Sequence, residues 1–589
     1  MVRPFFPLYN IKYTSPSQYT RRKMSEKKLF ARKATGLVRE IGLLTAAIII
    51  LCNTIGLGWQ KRIFQFTGKA PLPENLWLAG IPPMLMAFVL GGIVILLSVF
   101  AFSILIAAMP RSGGGYVVIS RLISPFWAFV ASTWEFLTIC WSFGIIAVAV
   151  FEGIFFIFGP VVGITGAGVT DVALFGGGLL LVIIFTAIGA LGVRLAGYLL
   201  QVMFWIPAVL TLYILYLLGS SLANPTALST GVTMLATAQG FSGVTPASYV
   251  TAALSQGLDA ANVGSYWFAV ATAMVGAYFA YVGYAASTFV AGEVKEANNT
   301  LPKVLLLSSC IIIFLYVLVS SLAAFASAAV GRITLPNGDV WSFFEAYAYM
   351  SYGAGHLSGT GLPLIKAWST TIAATTGIGL GLASLNWLVL IFAIFWVAND
   401  IPPFILTASR ILFAMAFDRV LPNKLADVNE KFHSPVNATV VCGVVALLGC
   451  LSESGVVSFG GSWSPGMNWL GGGLNFIFST GVASTDLFDA CFFTLFALSL
   501  VLLPYRKSAA RIYETAPVKY GGKPGMAFIG VLGVLANLYL DYMIITAEYQ
   551  AFWMLLATGI IAALIFAYYK YGKAKEVDYS TIFAQIPPE

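Results

Sequence analysis

Long apolar stretches without a charged residue recur along the 589-residue chain. They include residues 76–110, 172–193, 260–292, 304–331 and 549–569. A helix of about 18 to 20 apolar residues is long enough to cross the hydrocarbon core of a bilayer. The pattern therefore predicts an all-α polytopic membrane protein.

Twelve transmembrane helices are predicted from the apolar windows that charged or turn-forming residues delimit. They lie near residues 41–66, 81–108, 126–159, 172–191, 195–219, 265–292, 304–330, 384–417, 436–453, 486–504, 526–546 and 549–569. Three connections, at 220–264, 331–383 and 454–485, are too long for ordinary linkers. We expect short helices or re-entrant segments in them, or, for a stretch such as 231–258, packing at the lipid interface.

The basic residues predict the orientation of these helices. All but five of the 32 Lys and Arg residues fall on one side of the predicted membrane domain. The positive-inside rule assigns this side to the cytoplasm, and both termini lie on it. The five exceptions are Lys61, Arg62, Lys69, Arg332 and Lys366. The formal net charge of +8 therefore reflects topology in a cell membrane and not a nucleic-acid surface, although the basic tail could also attract anionic lipid.

Composition narrows the class of protein further. Hydrophobic residues make up 59% of the chain and charged residues 10%, against roughly 25% charged in soluble domains, which excludes a soluble multidomain protein. Six scattered cysteines and two histidines argue against a metal site, a haem or a disulfide framework, so no cofactor is expected. The sequence has no phosphate-binding loop, no zinc-protease helix motif and no nucleophile elbow, so neither an ATP-driven pump nor an enzyme is expected.

Two predicted helices carry glycines near the middle of the membrane, in the segments 53–58 and 276–284. Glycine costs about 1 kcal/mol in a helix interior, and unwound backbone at depth is tolerated where it lines a cavity. Paired interruptions in corresponding helices point to a transporter binding site. Free N–H groups at one break suit a carboxylate and free carbonyls at the other suit an ammonium group. The alternative is that the glycines only allow close helix packing.

Four segments resemble motifs of the amino acid–polyamine–organocation (APC) superfamily of amino acid permeases, over about residues 36–569. They are NTIGLG at 53–58, MPRSGGGY at 109–116, FAYVGY at 279–284 with EVKEANNTLP at 293–302, and SRILFAMAFDRVLP at 409–422 with SPVNA at 434–438. Trp59 and Gln60 replace the Ile-Phe that usually follows the first motif.

The resemblance implies an inverted repeat of helices 1–5 and 6–10, followed by two further helices, with alternating access to a central amino acid site. The domain boundaries that follow are 1–40 (N-terminal tail), 41–219 (first repeat), 220–264 (loop), 265–504 (second repeat), 505–570 (helices 11 and 12) and 571–589 (C-terminal tail). Helices 1 and 6 would be broken at about Ile55–Gly58 and Ala280–Gly283. The implied substrate-binding residues are Asn53, Thr54, Ile55, Gly56, Leu57 and Gly58, with Phe279, Ala280, Tyr281, Val282 and Gly283.

The same resemblance assigns roles at this site. The substrate carboxylate would contact backbone N–H groups of 55–58, and the ammonium group would contact carbonyls of 279–282. Phe279 and Tyr281 would be aromatic walls or gates, or else simply core or lipid-facing aromatics.

The coupling ion stays open between H⁺, Na⁺ and substrate exchange. Ala285 stands where many members carry a glutamate, and helix 5 has no lysine, so the usual proton-coupling residues are missing. Glu135, Glu152 and Asp400 are the acids that we place inside predicted helices, and such acids are functional candidates by default. Asp400 precedes two prolines that should kink helix 8. For Na⁺, the hydroxyls of Thr407 and Ser409 are the candidates, unless they only bond their own helix.

The sequence thus predicts a secondary active transporter for neutral amino acids, because the predicted pocket segments contain no Lys, Arg or His. The expected partners are the substrate and the lipid bilayer, with no nucleic acid; the pattern leaves the oligomeric state open. The alternative is a sensor or partner-bound subunit that keeps a transporter fold without transporting.

Overall fold

The computed structural model describes residues 39–159, 169–456 and 481–573, together with 577 and 579–583. In this part of the chain, eleven helices are long and apolar enough to cross a membrane. The predicted sixth helix is not among them because its first piece, Tyr266–Tyr281, ends after 16 residues. Together with the short helix Ala286–Phe289 that follows, this piece forms one further span, which brings the number of spans in the described residues to twelve.

The spans are numbered below in chain order. Spans 1 to 6 are Leu43–Lys69, Pro83–Ala108, Pro125–Glu152 (continuing as a wider π-helix at Gly153–Phe158), Asp171–Ala190, Val193–Ala223 and the pair Tyr266–Tyr281 and Ala286–Phe289. Spans 7 to 12 are Ala297–Ala328, the pair Asn386–Ala398 and Ile401–Phe417, Val436–Ser454, Gly481–Leu502, Gly522–Ala547 and Gln550–Tyr568.

Local sequence explains where several spans begin. The hydroxyls of Ser124, Thr170 and Ser265 each accept a hydrogen bond from the backbone N–H three residues later, at 3.2 Å. A side-chain oxygen at this position satisfies one of the N–H groups that have no partner inside the helix. Pro125 follows Ser124 at the first helical position, where no N–H group is needed.

Span 10 contains acids that the sequence analysis did not count. Asp486 and Asp489 lie inside Gly481–Leu502 and are buried. The interpretation that Glu135, Glu152 and Asp400 are the only acids inside spans is therefore wrong. Glu453 of span 9 and Asp541 of span 11 also lie inside spans. Residues 457–480 of the predicted connection lie outside the described residues, as do residues 1–38 of the basic tail.

The long connections contain short helices, as expected. Residues 220–264 form Pro225–Ala238 and Pro246–Ser255, and residues 331–383 form an antiparallel hairpin (Ile333–Thr334 with Val340–Trp341) and the helices Phe343–Tyr352 and Ser369–Gly379. The last of these lies inside the bundle, where Ser369 donates a hydrogen bond to the Trp59 carbonyl of span 1 at 3.0 Å.

Central and peripheral spans differ in how much surface they expose. Most of the apolar segment of spans 1 and 3 is buried, whereas spans 4, 5 and 12 turn most of theirs outward. Leu212 of span 5 and Leu564 of span 12 are 72% and 66% exposed. An apolar surface of this size on several helices is explained by contact with lipid. Spans 1 and 3 therefore lie in the interior of the bundle.

Candidate substrate site at two broken helices

Span 1 is interrupted within the predicted segment. Its first half ends at Thr54, Ile55 has extended backbone (φ −82°, ψ 92°), and helical structure resumes at Leu57. The break thus covers Ile55 and Gly56, and Gly58 already belongs to the second half. A Cβ atom on Gly56 would collide with the Asp400 carboxylate. Only glycine allows this approach.

Span 6 is also interrupted, two residues later than predicted. The backbone N–H of Val282 still donates to the Tyr278 carbonyl at 3.0 Å, so Ala280 and Tyr281 remain helical. The turn comprises residues 282–285, and Gly283 has a φ of 100°, which glycine adopts without strain. A Cβ on Gly283 would collide with Asn53, so the two breaks pack against each other.

Tyr316 of span 7 connects the two breaks. Its hydroxyl lies within hydrogen-bonding distance of the Thr54 carbonyl and of the Ala280 carbonyl, the latter at 2.8 Å. A hydroxyl has one proton to donate, so it can serve one carbonyl at a time. The sequence interpretation left the Ala280 carbonyl free for an ammonium group and did not include Tyr316, whose position in an apolar helix gave no motif signal.

Span 8 breaks at Asn399 and Asp400, where the sequence predicted a kink. Asp400 is 4% exposed, and its carboxylate lies against Gly56 and accepts a hydrogen bond from the backbone N–H of Leu57. Among the described residues, its Oδ1 atom and the amide of Asn399 have no hydrogen-bond partner. Asp400 thus reaches the N–H group that the resemblance assigns to the substrate carboxylate.

The two hydroxyls proposed for Na⁺ lie farther along span 8. Thr407 is seven residues beyond Asp400, about 10 Å along a helix. Its hydroxyl is buried, and no described residue forms a hydrogen bond with it. Ser409 donates to the Leu406 carbonyl and accepts from Arg410, each at 3.0 Å. The structure therefore does not bring these hydroxyls together with Asp400.

The two predicted aromatic walls face different neighbours. The guanidinium group of Arg62 lies 4.8 Å from the centre of the Phe279 ring, a cation–π distance. The Tyr281 hydroxyl donates to the Phe88 carbonyl of span 2 at 2.9 Å. Phe279 thus borders the charges of span 1, whereas Tyr281 packs against span 2.

A cluster of opposite charges, the mixed-charge cluster, lies beyond the breaks on the side of the membrane away from residue 39. Lys61 forms ion pairs with Glu152 and, at 2.6 Å, with Glu453; Arg62 pairs with Glu453 at 3.1 Å, and Lys366 with Glu152 at 2.9 Å. Lys61, Arg62 and Glu152 are at most 4% exposed. These basic residues were interpreted as outside charges that set topology. Lys61 and Arg62 fall inside the predicted first helix, at 41–66, which was the signal that these two residues are paired.

Two further buried ion pairs lie on the side of residue 39. Arg410 donates two hydrogen bonds to Glu293, at 2.8 and 3.1 Å. Arg121 donates two hydrogen bonds to Asp418, at 2.5 and 3.0 Å. The motif glycine Gly113 donates from its N–H to the Phe289 carbonyl at 2.8 Å. The motif segments after spans 2, 6 and 8 therefore meet here, where they join the ends of spans.

Glu135, another predicted coupling residue, lies apart from the breaks in a small group of acids. It is hydrogen-bonded to Asp489 of span 10, which also accepts from the Tyr278 hydroxyl at 2.6 Å. Within the described residues, no group of three His, Cys, Asp or Glu side chains could hold a metal ion.

These features define a multi-pass α-helical membrane protein with two broken central helices. The sequence pattern of the family described as amino acid permease matches residues 41–566, so the chain belongs to this family, as the motifs indicated. It is therefore a transport protein by family.

Comparison with known proteins gives distant relatives. Uncharacterized transporters of Mycobacterium bovis and of Mycobacterium tuberculosis are each 26% identical over 429 residues, which cover 72% of this chain and 76% of theirs. Among solved structures, MhsT in complex with L-phenylalanine has a TM-score of 0.49 and 14% identity, covering 87% of this chain and 99% of that one.

Proposed function

We propose that the protein is a secondary active transporter of neutral amino acids that works by alternating access and is coupled to protons. The substrate carboxylate binds at the break of span 1, at Gly56 and the N–H group of Leu57. The observation that carries this proposal is that the Asp400 carboxylate already reaches this position. A position that holds one carboxylate against the start of a helix can hold a substrate carboxylate in its place.

The electrostatics of the break favours this ligand. Leu57 begins the second half of span 1, and the first N–H groups of a helix lack internal partners and carry partial positive charge. Anionic groups bind there for both reasons. Thr54 of span 1 and Ala280 of span 6 offer carbonyls that Tyr316 can satisfy only one at a time, which leaves an acceptor for the substrate ammonium group.

Competition between two carboxylates provides the coupling. The substrate carboxylate and Asp400 would use the same N–H group, and two ionised carboxylates in contact repel each other. Asp400 therefore has to take up a proton, or move away, when the substrate enters. If it takes up the proton, Asp400 carries one proton with each substrate molecule and no ATP is needed.

Neutral side chains fit this site best. The segments 53–58 and 279–283 contain no Lys, Arg or His, and the nearby Lys61 and Arg62 already have acidic partners. A charged substrate side chain would be buried without a partner, at a cost of several kcal/mol. In a competition assay, neutral amino acids should displace a bound neutral substrate better than arginine or glutamate.

The proposed orientation places both termini in the cytoplasm of a cell membrane. It is supported by the excess of Lys and Arg in the predicted connections of that side. The ion pairs Arg410–Glu293 and Arg121–Asp418 would then face the cytoplasm and the mixed-charge cluster would face the outside.

A methyl group at position 56 tests the site. In Gly56→Ala, the added carbon occupies the space of the Asp400 carboxylate, and we expect affinity for neutral amino acids to fall at least about tenfold, the effect of 1.4 kcal/mol. The matched control is Gly42→Ala, because a Cβ there has nothing within 4 Å. Binding is measured on purified protein by thermal shift against a panel of amino acids. Wild-type affinity in a folded Gly56→Ala protein would contradict the site.

Asp400→Asn tests the coupling in proteoliposomes. The amide cannot exchange a proton, so we expect substrate exchange to continue while net uptake loses the part of its response to an imposed pH gradient that the Asp400 proton provides. Asp427→Asn, an exposed acid after span 8, is the control and keeps the response. Full dependence on the pH gradient in Asp400→Asn would contradict this role. Wild-type uptake that depends on sodium alone would favour Thr407, and binding without any uptake would favour the sensor.

A further inference from the structure

Two buried acids of different spans contact each other near the middle of the bundle. Glu135 of span 3 is 3% exposed and Asp489 of span 10 is 1% exposed, and their side chains are hydrogen-bonded. Tyr278 of span 6 completes the group, because its hydroxyl donates to Oδ2 of Asp489 at 2.6 Å. One hydrogen-bonded group thus connects spans 3, 6 and 10.

The contact between the two acids requires a proton. An ionised carboxylate only accepts hydrogen bonds, so two carboxyl groups can bond directly only when one of them is protonated. Two ionised groups at this separation would repel each other, and in a buried place little water screens the repulsion. The pair therefore holds one proton between its oxygens.

No cation replaces this proton among the described residues, since no Lys, Arg or His forms an ion pair with Glu135 or Asp489. Arg62 of span 1 acts instead on Asp486, one helical turn away on span 10. The spans that pack against the pair contribute further ionisable groups. These are Tyr278, Tyr284, Asp486, Arg62, Glu548 and Asp541. Asp541 of span 11 bonds Cys491 and Thr494 on another face of span 10.

Unsatisfied polar atoms surround the pair. Tyr284 is fully buried and lies beside Tyr278 and Ser98, yet no described group completes a hydrogen bond of good geometry with its hydroxyl. Oε2 of Glu135 and both carboxylate oxygens of Asp486 also lack a hydrogen-bond partner within the described ranges. Buried polar atoms normally have hydrogen-bond partners. Oxygen atoms that lack one can accept a proton that moves between these side chains.

The pair is connected to the break of span 6. Tyr278 lies in the last turn of the first half, and Tyr284 lies in the turn at residues 282–285. Movement of the second half of span 6 relative to the first would change the position of Tyr284 relative to the acids. Loss of the shared proton would separate Glu135 from Asp489 and so move span 10 relative to span 3.

We propose that Glu135 and Asp489 form a proton-binding site, distinct from Asp400, whose shared proton fixes the arrangement of spans 3, 6 and 10. Its role in transport rests on the proposed function. The proton enters from water on the side to which the protein is open and leaves to water on the other side, and no other bond forms or breaks. Asp400 responds to the substrate carboxylate, whereas this pair responds to the conformation of span 6.

Infrared difference spectroscopy of the purified protein tests the site without transport. A protonated buried carboxyl group gives a carbonyl stretching band that disappears when the group ionises. We expect the same band to be absent from Glu135→Gln and from Asp489→Asn, because the two acids share one proton and either amide can donate in its place. Glu74→Gln, which changes an acid paired with the exposed Arg332, leaves the band unchanged. A wild-type band in either of the first two variants would overturn the proposal.

Transport gives the second readout. We expect Glu135→Gln to remove the part of the pH dependence of net uptake that the shared proton provides, at most about tenfold per pH unit, while the part that Asp400 provides remains and substrate affinity stays within about twofold. Asp541→Asn, which changes a half-buried acid outside the pair, keeps the wild-type dependence. Unchanged pH dependence in Glu135→Gln would overturn the role in transport. Absence of any wild-type uptake would instead contradict the proposed function, and the spectra would still decide the site.

Discussion

Span 3 carries two acids, Glu135 and Glu152, in very different surroundings. Both are at most 4% exposed, and they are 17 residues apart, about 25 Å along a helix. Glu152 lies in the mixed-charge cluster between Lys61 and Lys366, whereas Glu135 faces Asp489. Glu152 is neutralised by cations of the protein, and Glu135 only by a proton that it shares with Asp489.

The difference shows that the partner, and not the residue type or its burial, decides what a buried acid can do. A carboxylate between two cations is held ionised, and its charge changes only if the ion pairs break. A carboxyl pair without a cation loses or gains charge with a proton, which can come from water. The ion pairs of Glu152 suit a permanent structural contact between spans. The proton of the Glu135–Asp489 pair suits a step that repeats in every transport cycle.

Removal of Glu152 tests this comparison with the largest expected effect. In Glu152→Gln, Lys61 keeps only Glu453 and Lys366 loses its acidic partner, so we expect a loss of about 3 kcal/mol of stability, typical of a broken buried ion pair. The measurement is thermal unfolding in detergent. Glu74→Gln is the control, because its pair with Arg332 is exposed and should contribute less than about 1 kcal/mol.

The matched substitution on the same helix is Glu135→Gln. At neutral pH we expect a change of less than about 1 kcal/mol, because the glutamine amide can donate to Asp489 in place of the protonated acid. If Glu135→Gln destabilises the protein as much as Glu152→Gln does, the two acids are both structural and the comparison fails.

Glu345 is a third buried acid without a cationic partner, and it should affect stability less than Glu152 does. It is a buried acid in Phe343–Tyr352, outside the spans, that accepts from the N–H and hydroxyl of Ser342 at 3.1 and 2.5 Å. Burial raises the pKa of Glu345 from 4.5 to about 8. The folded protein therefore keeps a proton that the unfolded chain loses above pH 4.5, and wild-type stability falls as pH rises from 4.5 to about 8.

Glu345→Gln should remove this component of the pH dependence. The variant gains stability relative to the wild type as pH rises through that window, by at most about 1.4 kcal/mol per pH unit, and the gain levels off above the folded pKa. Melting temperatures across the pH range measure it, with the exposed Glu430→Gln as control. A difference between Glu345→Gln and wild type that does not depend on pH would show that Glu345 is ionised in the folded protein.

The periodic apolar pattern was enough to predict most of the spans. Spans 2, 9, 11 and 12 begin and end within a few residues of their predictions, because lipid requires long, uninterrupted apolar helices. The sequence analysis did not count Asp486 and Asp489 of span 10 among the acids inside the membrane, although both fall in the predicted helix 486–504. Their burial depends on neighbours that are far away in the chain.

The candidate site was predicted in part. Glycines at 56 and 283 and the prolines after Asp400 located all three interruptions to within two residues, since these residue types act through their own backbone. The contact of Asp400 with Gly56 could not be predicted, because 344 residues separate them and no sequence pattern around either residue indicates the other. Tyr316 was missed for the same reason.

The sequence by itself determined that the chain crosses the membrane many times, that its central helices break, and that it belongs among amino acid permeases. These properties follow from local composition, backbone preferences and short motifs. Only the tertiary structure decided which charges neutralise each other: Lys61 with Glu152 and Glu453, and Glu135 with Asp489. Electrostatic energy in a buried place depends on distances of a few ångströms between residues that folding brings together. Those distances are a property of the packed bundle and not of any one helix.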